Sequence, residues 1–136
     1  MKTICYVSNF SKNLTKESID NLINLVDTRN NVNDITGLLI VRNKQFFQIL
    51  EGRKAKVDTL FNKIEKDSRH KGVIKLLDVE IDGQIFKDYN SGKFETFQKY
   101  ANMKKLYLYF NWIKNAEYLP ANEIIQLTTN FLKQNP

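Results

Sequence analysis

Residues 35–50 read Ile35-Thr36-Gly37-Leu38-Leu39-Ile40-Val41-Arg42-Asn43-Lys44-Gln45-Phe46-Phe47-Gln48-Ile49-Leu50. Two apolar runs, 35–41 and 45–50, flank the polar tripeptide Arg42-Asn43-Lys44. β-branched and aromatic residues favour extended backbone, and a short polar link between two such runs marks a hairpin. Both strands read as buried.

A helical pattern lies on each side of this hairpin. Upstream, Ile19, Leu22, Ile23 and Val26 recur on one face, with Thr15 placed as N-cap and Leu14 and Ile19 as a hydrophobic staple. That helix is predicted to stop in Arg29-Asn30-Asn31. Downstream, Val57, Leu60, Phe61 and Ile64 fall at i, i+3, i+4 and i+7, which predicts an amphipathic helix over 55–67. Its outer face carries Lys56, Asp58, Lys63 and Lys66. Beyond the helices, 3–8 and 73–81 read as the first and fourth strands, Asp82-Gly83 as a turn, and 85–94 as a fifth strand.

The order is therefore β-α-β-β-α-β-β, an α+β chain of the split βαβ or ferredoxin-like pattern with two helices on one sheet face. After Phe97 the texture turns helical. An aromatic stretch, Leu106 to Ile113, is followed by Pro120 near the start of a last helix patterned on Ile124, Ile125, Thr128, Phe131 and Leu132. Residues 1–97 are expected to form the principal unit and 98–136 a helical extension of the same domain. A length of 136 residues suits one core.

Composition excludes several functions. The net charge of +6 is spread among fifteen acids, as on a solvated surface. Cys5 is the only cysteine, so no intrachain disulfide and no thiolate metal site can form. No apolar run approaches the roughly 20 residues of a membrane helix, and no signal-peptide pattern opens the chain. A cytoplasmic protein without membrane association is expected. His70 is the only histidine, and neither a nucleophile elbow nor a Gly-rich phosphate loop occurs. Asp27 and Asp34 flank a helix end and read as capping or solvated groups rather than a catalytic pair. Enzymatic activity is not expected.

Tyr6 and Gln48 stand apart from this background. A glutamine between Phe47 and Ile49 needs partners for its amide, because an unpaired buried amide costs about 1–3 kcal/mol. The first and third strands can be neighbours in a split βαβ sheet, so Tyr6 and Gln48 can converge.

Tyr6, Asn30, Ile35-Thr36-Gly37, Gln48 within Phe46-Phe47-Gln48-Ile49-Leu50-Glu51-Gly52, and Asp67-Ser68-Arg69-His70 follow one another at characteristic spacings. In these motifs the chain resembles the BLUF family, blue-light sensors using FAD, over about residues 2–94. The resemblance implies non-covalent FAD, with FMN as the alternative, held between the two helices. Leu22, Leu39, Phe46 and Ile64 match positions lining the flavin ring. Asn30 matches a partner of its pyrimidine edge, and Arg29, Lys63, Asp67 and Arg69 match positions near the ribityl and phosphate region. His70 counts as part of the motif's structure rather than as a base. The implied mechanism is light-driven electron and proton transfer from Tyr6, then rearrangement of the Gln48 amide and a small red shift of the flavin spectrum.

The family commonly carries R-x-F-x-x-W-S-M on strand five, where this chain has residues 84–91, Gln84-Ile85-Phe86-Lys87-Asp88-Tyr89-Asn90-Ser91. Tyr89 and Ser91 replace the usual tryptophan and methionine and are assigned to output. The aromatic stretch 106–113 holds more large apolar groups than one helix stripe buries, which points to a dimer or larger homo-oligomer, with a downstream protein as the other partner. The rival reading is a ferredoxin-like RNA- or protein-binding module without flavin; the RNP aromatic pattern is not evident, and nucleic acid is not the expected partner. An acylphosphatase-like enzyme and a flavin redox protein complete the alternatives.

Overall fold

A computed structural model describes residues 1–97 and 103–136. The elements in chain order are β1 (Lys2–Phe10), α1 (Lys16–Val32), β2 (Thr36–Arg42), β3 (Gln45–Gly52), α2 (Lys54–Lys66), β4 (His70–Glu80), β5 (Glu95–Phe97), α3 (Met103–Ile113) and α4 (Leu119–Gln134). The strands lie in the order β4-β1-β3-β2-β5. β1 runs antiparallel between β3 and β4, β2 antiparallel to β3, and β5 parallel to β2. This is the α+β, ferredoxin-like fold expected from the hairpin and its flanking helices.

Local chemistry sets the elements. Thr15 caps α1, its side chain accepting from the Ser18 N–H at 3.1 Å. α1 runs one turn-fraction further than Arg29-Asn30-Asn31, because Asn33 closes it, donating from backbone and side chain to the Arg29 carbonyl. Gly37 has a φ of +133°, and a Cβ there would meet the Ile49 carbonyl oxygen at 2.0 Å. Only glycine lets β2 lie this close to β3 beside Gln48. Pro120 sits at the start of α4.

Both faces of the sheet are covered. On one, Ile4, Tyr6, Leu39, Phe46 and Leu50 pack against Leu22 and Val26 of α1 and Val57, Leu60, Phe61 and Ile64 of α2. On the other, Cys5, Leu38, Ile40, Phe47 and Ile49 pack against Met103, Leu106 and Phe110 of α3 and Ile124, Phe131 and Leu132 of α4. Each fully buried side chain of this size contributes about 1.5–3 kcal/mol, so the C-terminal helices are part of the fold's stability. The predicted extension shares its core with the sheet; of its residues, 98–102 lie outside the described set.

The predicted fifth strand is corrected. Residues 85–94 are not extended: Tyr89–Gly92 form a short 3-10 turn, with left-handed φ at Asn90 (50°), Ser91 (56°) and Gly92 (72°). Three consecutive left-handed residues cannot lie in a pleated strand. The apolar residues Ile85, Phe86 and Tyr89 that suggested a strand instead anchor this connection in the α3/α4 core. β5 begins only at Glu95, in register with Leu38.

Candidate functional site

Tyr6 and Gln48 are direct cross-strand partners on the two central strands. Period two puts both on the face covered by α1 and α2, where Tyr6 is fully buried and Gln48 is 2% exposed. The Gln48 amide nitrogen donates to the Tyr6 hydroxyl, and Gln48 Oε1 has no partner. The α1 residue Asn30 is fully buried with both amide atoms unpartnered, while its backbone carbonyl accepts from the Ile35 N–H at 2.9 Å. Arg29 Nε is likewise buried and unpartnered. Orphaned buried groups cost about 1–3 kcal/mol each, so a cluster of them marks a place built for a polar-edged ligand.

A crevice of about 30 Å³ lies among these residues, lined by Tyr6, Leu22, Val26, Arg29, Leu39, Phe46, Gln48, Lys63, Ile64, Asp67 and His70. An open cleft of about 330 Å³ between the C-terminal end of α1 and the start of α2 shares Arg29 and Lys63 with it. The lining combines apolar walls with an amide at the sheet and cations at the mouth. A flat heteroaromatic ring with a hydrogen-bonding edge and a phosphate tail suits that arrangement.

Burial controls the protonation states. The Tyr6 phenol is pushed well above its ordinary pKa by burial, with the Gln48 hydrogen bond and the Arg29 charge opposing. His70 is pushed down to about 4 by burial and is neutral near pH 7. Its Nδ1 lies 2.8 Å from the Ser8 hydroxyl, and its ring stands 4.6 Å from that of Phe46 and edge-on to Tyr6 at 6.1 Å. Asp67 is held below the usual carboxylate range by a two-pronged bond to Arg69, the closest contact 2.6 Å. Among the described residues no group of His, Cys, Asp and Glu could hold a metal ion.

The family model for BLUF, sensors of blue-light using FAD, matches residues 1–92. The chain belongs to the BLUF family. It is 30% identical over 77 residues to the blue light- and temperature-regulated antirepressor BluF of Escherichia coli, covering 57% of this chain and 19% of that protein. Among solved structures, BlsA in its photo-activated state aligns with a TM-score of 0.62 and 28% identity over 79% of this chain and 77% of its own. Klebsiella pneumoniae BlrP1 with FMN and cyclic diGMP gives the same TM-score and identity over 71% and 25%. The chain thus spans about a fifth of the antirepressor it matches, and 8% of the photoactivated adenylate cyclase subunit alpha of Euglena gracilis. As a BLUF domain, it is a flavin-binding blue-light sensor domain, with FAD or FMN as cofactor.

Of the residues matched to cofactor contacts, Tyr6, Leu22, Arg29, Leu39, Phe46, Gln48, Lys63, Ile64 and Asp67 line the crevice. Asn30 lies one turn beyond Val26 on the same stripe of α1 but does not line it, and Arg69 is engaged with Asp67. Val26, expected only on the apolar stripe of α1, and His70, expected only as part of the motif's structure, also line the crevice; Val26 is signalled by its place four residues before Asn30. Tyr89 and Ser91 are not on β5. Tyr89 is buried on the opposite face of the sheet, its ring 5.1 Å from that of Tyr109, and Ser91 is an exposed turn residue. The β5 region meets the flavin-side elements through Phe94 and through Thr96, whose hydroxyl donates to Asp27 of α1 at 2.8 Å.

Proposed function

We propose that this BLUF domain signals through a hydrogen-bond switch made of Tyr6, Gln48 and the flavin. The observation that carries the reading is the direct pairing of the two side chains on adjacent central strands, with Gln48 Oε1 left over. Bound flavin supplies the ring that absorbs blue light and accepts an electron. Tyr6, kept neutral by burial, holds a proton and an electron that can leave together. Gln48 has one donor and one acceptor end, so turning its amide re-sorts partners at Tyr6 and at the ring without moving atoms far. Asn30 fixes the ring edge, and the charges of Arg29 and Lys63 at the mouth suit a phosphate.

The C-terminal helices carry association and output in this reading. α3 turns Leu106 and Phe110 into the core but leaves Leu108 and Trp112 each 62% exposed and Tyr107 44% exposed. A second copy of the chain, or a downstream protein, buries this surplus. No helix among the described residues is long and apolar enough to cross a membrane. The RNA-binding alternative loses its platform, because helices cover both sheet faces. Tyr6→Phe and Gln48→Leu test the switch: each is expected to retain flavin and lose the light-induced spectral shift. A normal photocycle in either variant would show the switch to be misassigned.

A further inference from the structure

Three residues beyond Gln48 on β3, Glu51 is fully buried on the α3/α4 face. Its carboxylate accepts from the Thr36 hydroxyl at 2.7 Å and from the backbone N–H groups of Ile85 and Phe86 at 2.9 and 2.5 Å. The adjoining Gln84 side chain donates to the Asp34 carbonyl and to Thr36 Oγ1, both at 3.0 Å. The Ile85 carbonyl in turn accepts from the Tyr109 hydroxyl of α3 at 2.6 Å. A continuous set of hydrogen bonds therefore runs from the strand bearing Gln48, through residues 84–86, to the helix bearing Trp112, whose ring lies 5.7 Å from that of Tyr109.

We propose that Glu51 is a positioning residue for output: its carboxylate clamps β3 to residues 84–86 and so to α3, and light and proton uptake act on the same clamp. The proposal rests on the light-sensing reading above. The ionised carboxylate uses both oxygens as acceptors for three donors. Protonation turns one oxygen into a donor and weakens its hold on a backbone N–H. Facing Glu51 are Thr3 of β1, in register with it and with its hydroxyl unpartnered, Thr36 of β2, and Tyr109 of α3, which also feels Asp88. Among the described residues no cation forms an ion pair with Glu51. Burial pushes its carboxyl up to about 7 against the pull of the three donors, so both forms of the clamp are populated near neutrality. A Gln48 rearrangement that strains β3 must, by linkage, change proton affinity at Glu51.

Flavin-loaded protein titrated in the dark, with emission read from Trp112, the sole tryptophan, tests the clamp. The expected result is an emission change centred near neutral pH that Glu51→Gln abolishes and Tyr109→Phe cuts by half or more. Should Glu51→Gln fail to fold, Tyr109→Phe decides: an undiminished amplitude overturns the clamp, as does a titration that survives Glu51→Gln. Under continuous blue light the midpoint should move by about half a pH unit or more, a roughly threefold change in proton affinity. Tyr6→Phe should keep the dark titration and lose the light-driven shift. A normal flavin red shift with an unmoved midpoint overturns the output role, whereas a missing red shift overturns the light-sensing reading while the dark titration still decides the clamp.

Discussion

Glu51→Gln should change how stability depends on pH, by an amount set by the site. The Glu51 carboxyl is raised from an ordinary 4.5 to about 7, burial being the cause and the bonds from Thr36, Phe86 and Ile85 opposing it. A folded pKa above the unfolded one means that the native state holds the proton over the intervening range. The stabilisation is full below about pH 4.5 and is lost as the pH rises through about 7. From about pH 5 to about pH 8 the loss is on the order of 2–3 kcal/mol, at about 1.36 kcal/mol per pKa unit. His70 runs the other way: held down to about 4 by burial, it favours unfolding as the pH falls below 6.5. The two slopes overlap, so the wild-type profile conceals both. The variant's amide mimics the neutral carboxyl and does not titrate. Relative to wild type it should therefore gain on the order of 2–3 kcal/mol of unfolding free energy between about pH 5 and about pH 8. Urea unfolding of both proteins, flavin-saturated and in the dark, measures the difference at each pH. A difference independent of pH would refute the assignment of a proton to buried Glu51.

Asn30→Ala should weaken flavin retention by about two- to twelvefold, since it removes one ring-edge hydrogen bond worth about 0.5–1.5 kcal/mol. Unchanged affinity in equilibrium titration would take Asn30 out of the site. The pair Leu108→Ser and Trp112→Ser should convert an oligomer to a monomer that still folds and holds flavin, because both side chains are mostly exposed on the single chain. Solution mass by light scattering checks this; an intact oligomer, or a monomeric wild type, would refute the role given to α3.

The hairpin and its two flanking helices were legible because their signals are periodic and local. Thr15 reads as a cap from its neighbours, and the stripes of α1 and α2 follow from 3.6-residue spacing. The placement of Tyr6 against Gln48 also follows, once the split βαβ order makes β1 and β3 neighbours. The connection from Ile85 to Phe94 was not legible as a turn. Its apolar residues serve a core built by helices far along the chain, and its left-handed run at Asn90, Ser91 and Gly92 leaves only a weak compositional trace. Glu51 escaped notice because a carboxylate at the end of a strand ordinarily faces water. Two of its three donors, backbone N–H groups 34 and 35 residues on, carry no side-chain signature. Tyr89 was tied to output by alignment with a strand position, and the turn that holds it places its ring on the other face.

The absorption spectrum of the purified protein, recorded in the dark and again under blue light, decides whether Tyr6, Gln48 and the flavin act as a light switch. The flavin band is expected to move reversibly to longer wavelength on illumination, to keep its intensity, and to stay fixed in Tyr6→Phe and Gln48→Leu. A protein that refuses both FAD and FMN, or a flavin band that bleaches or does not move in the wild type, would contradict the switch.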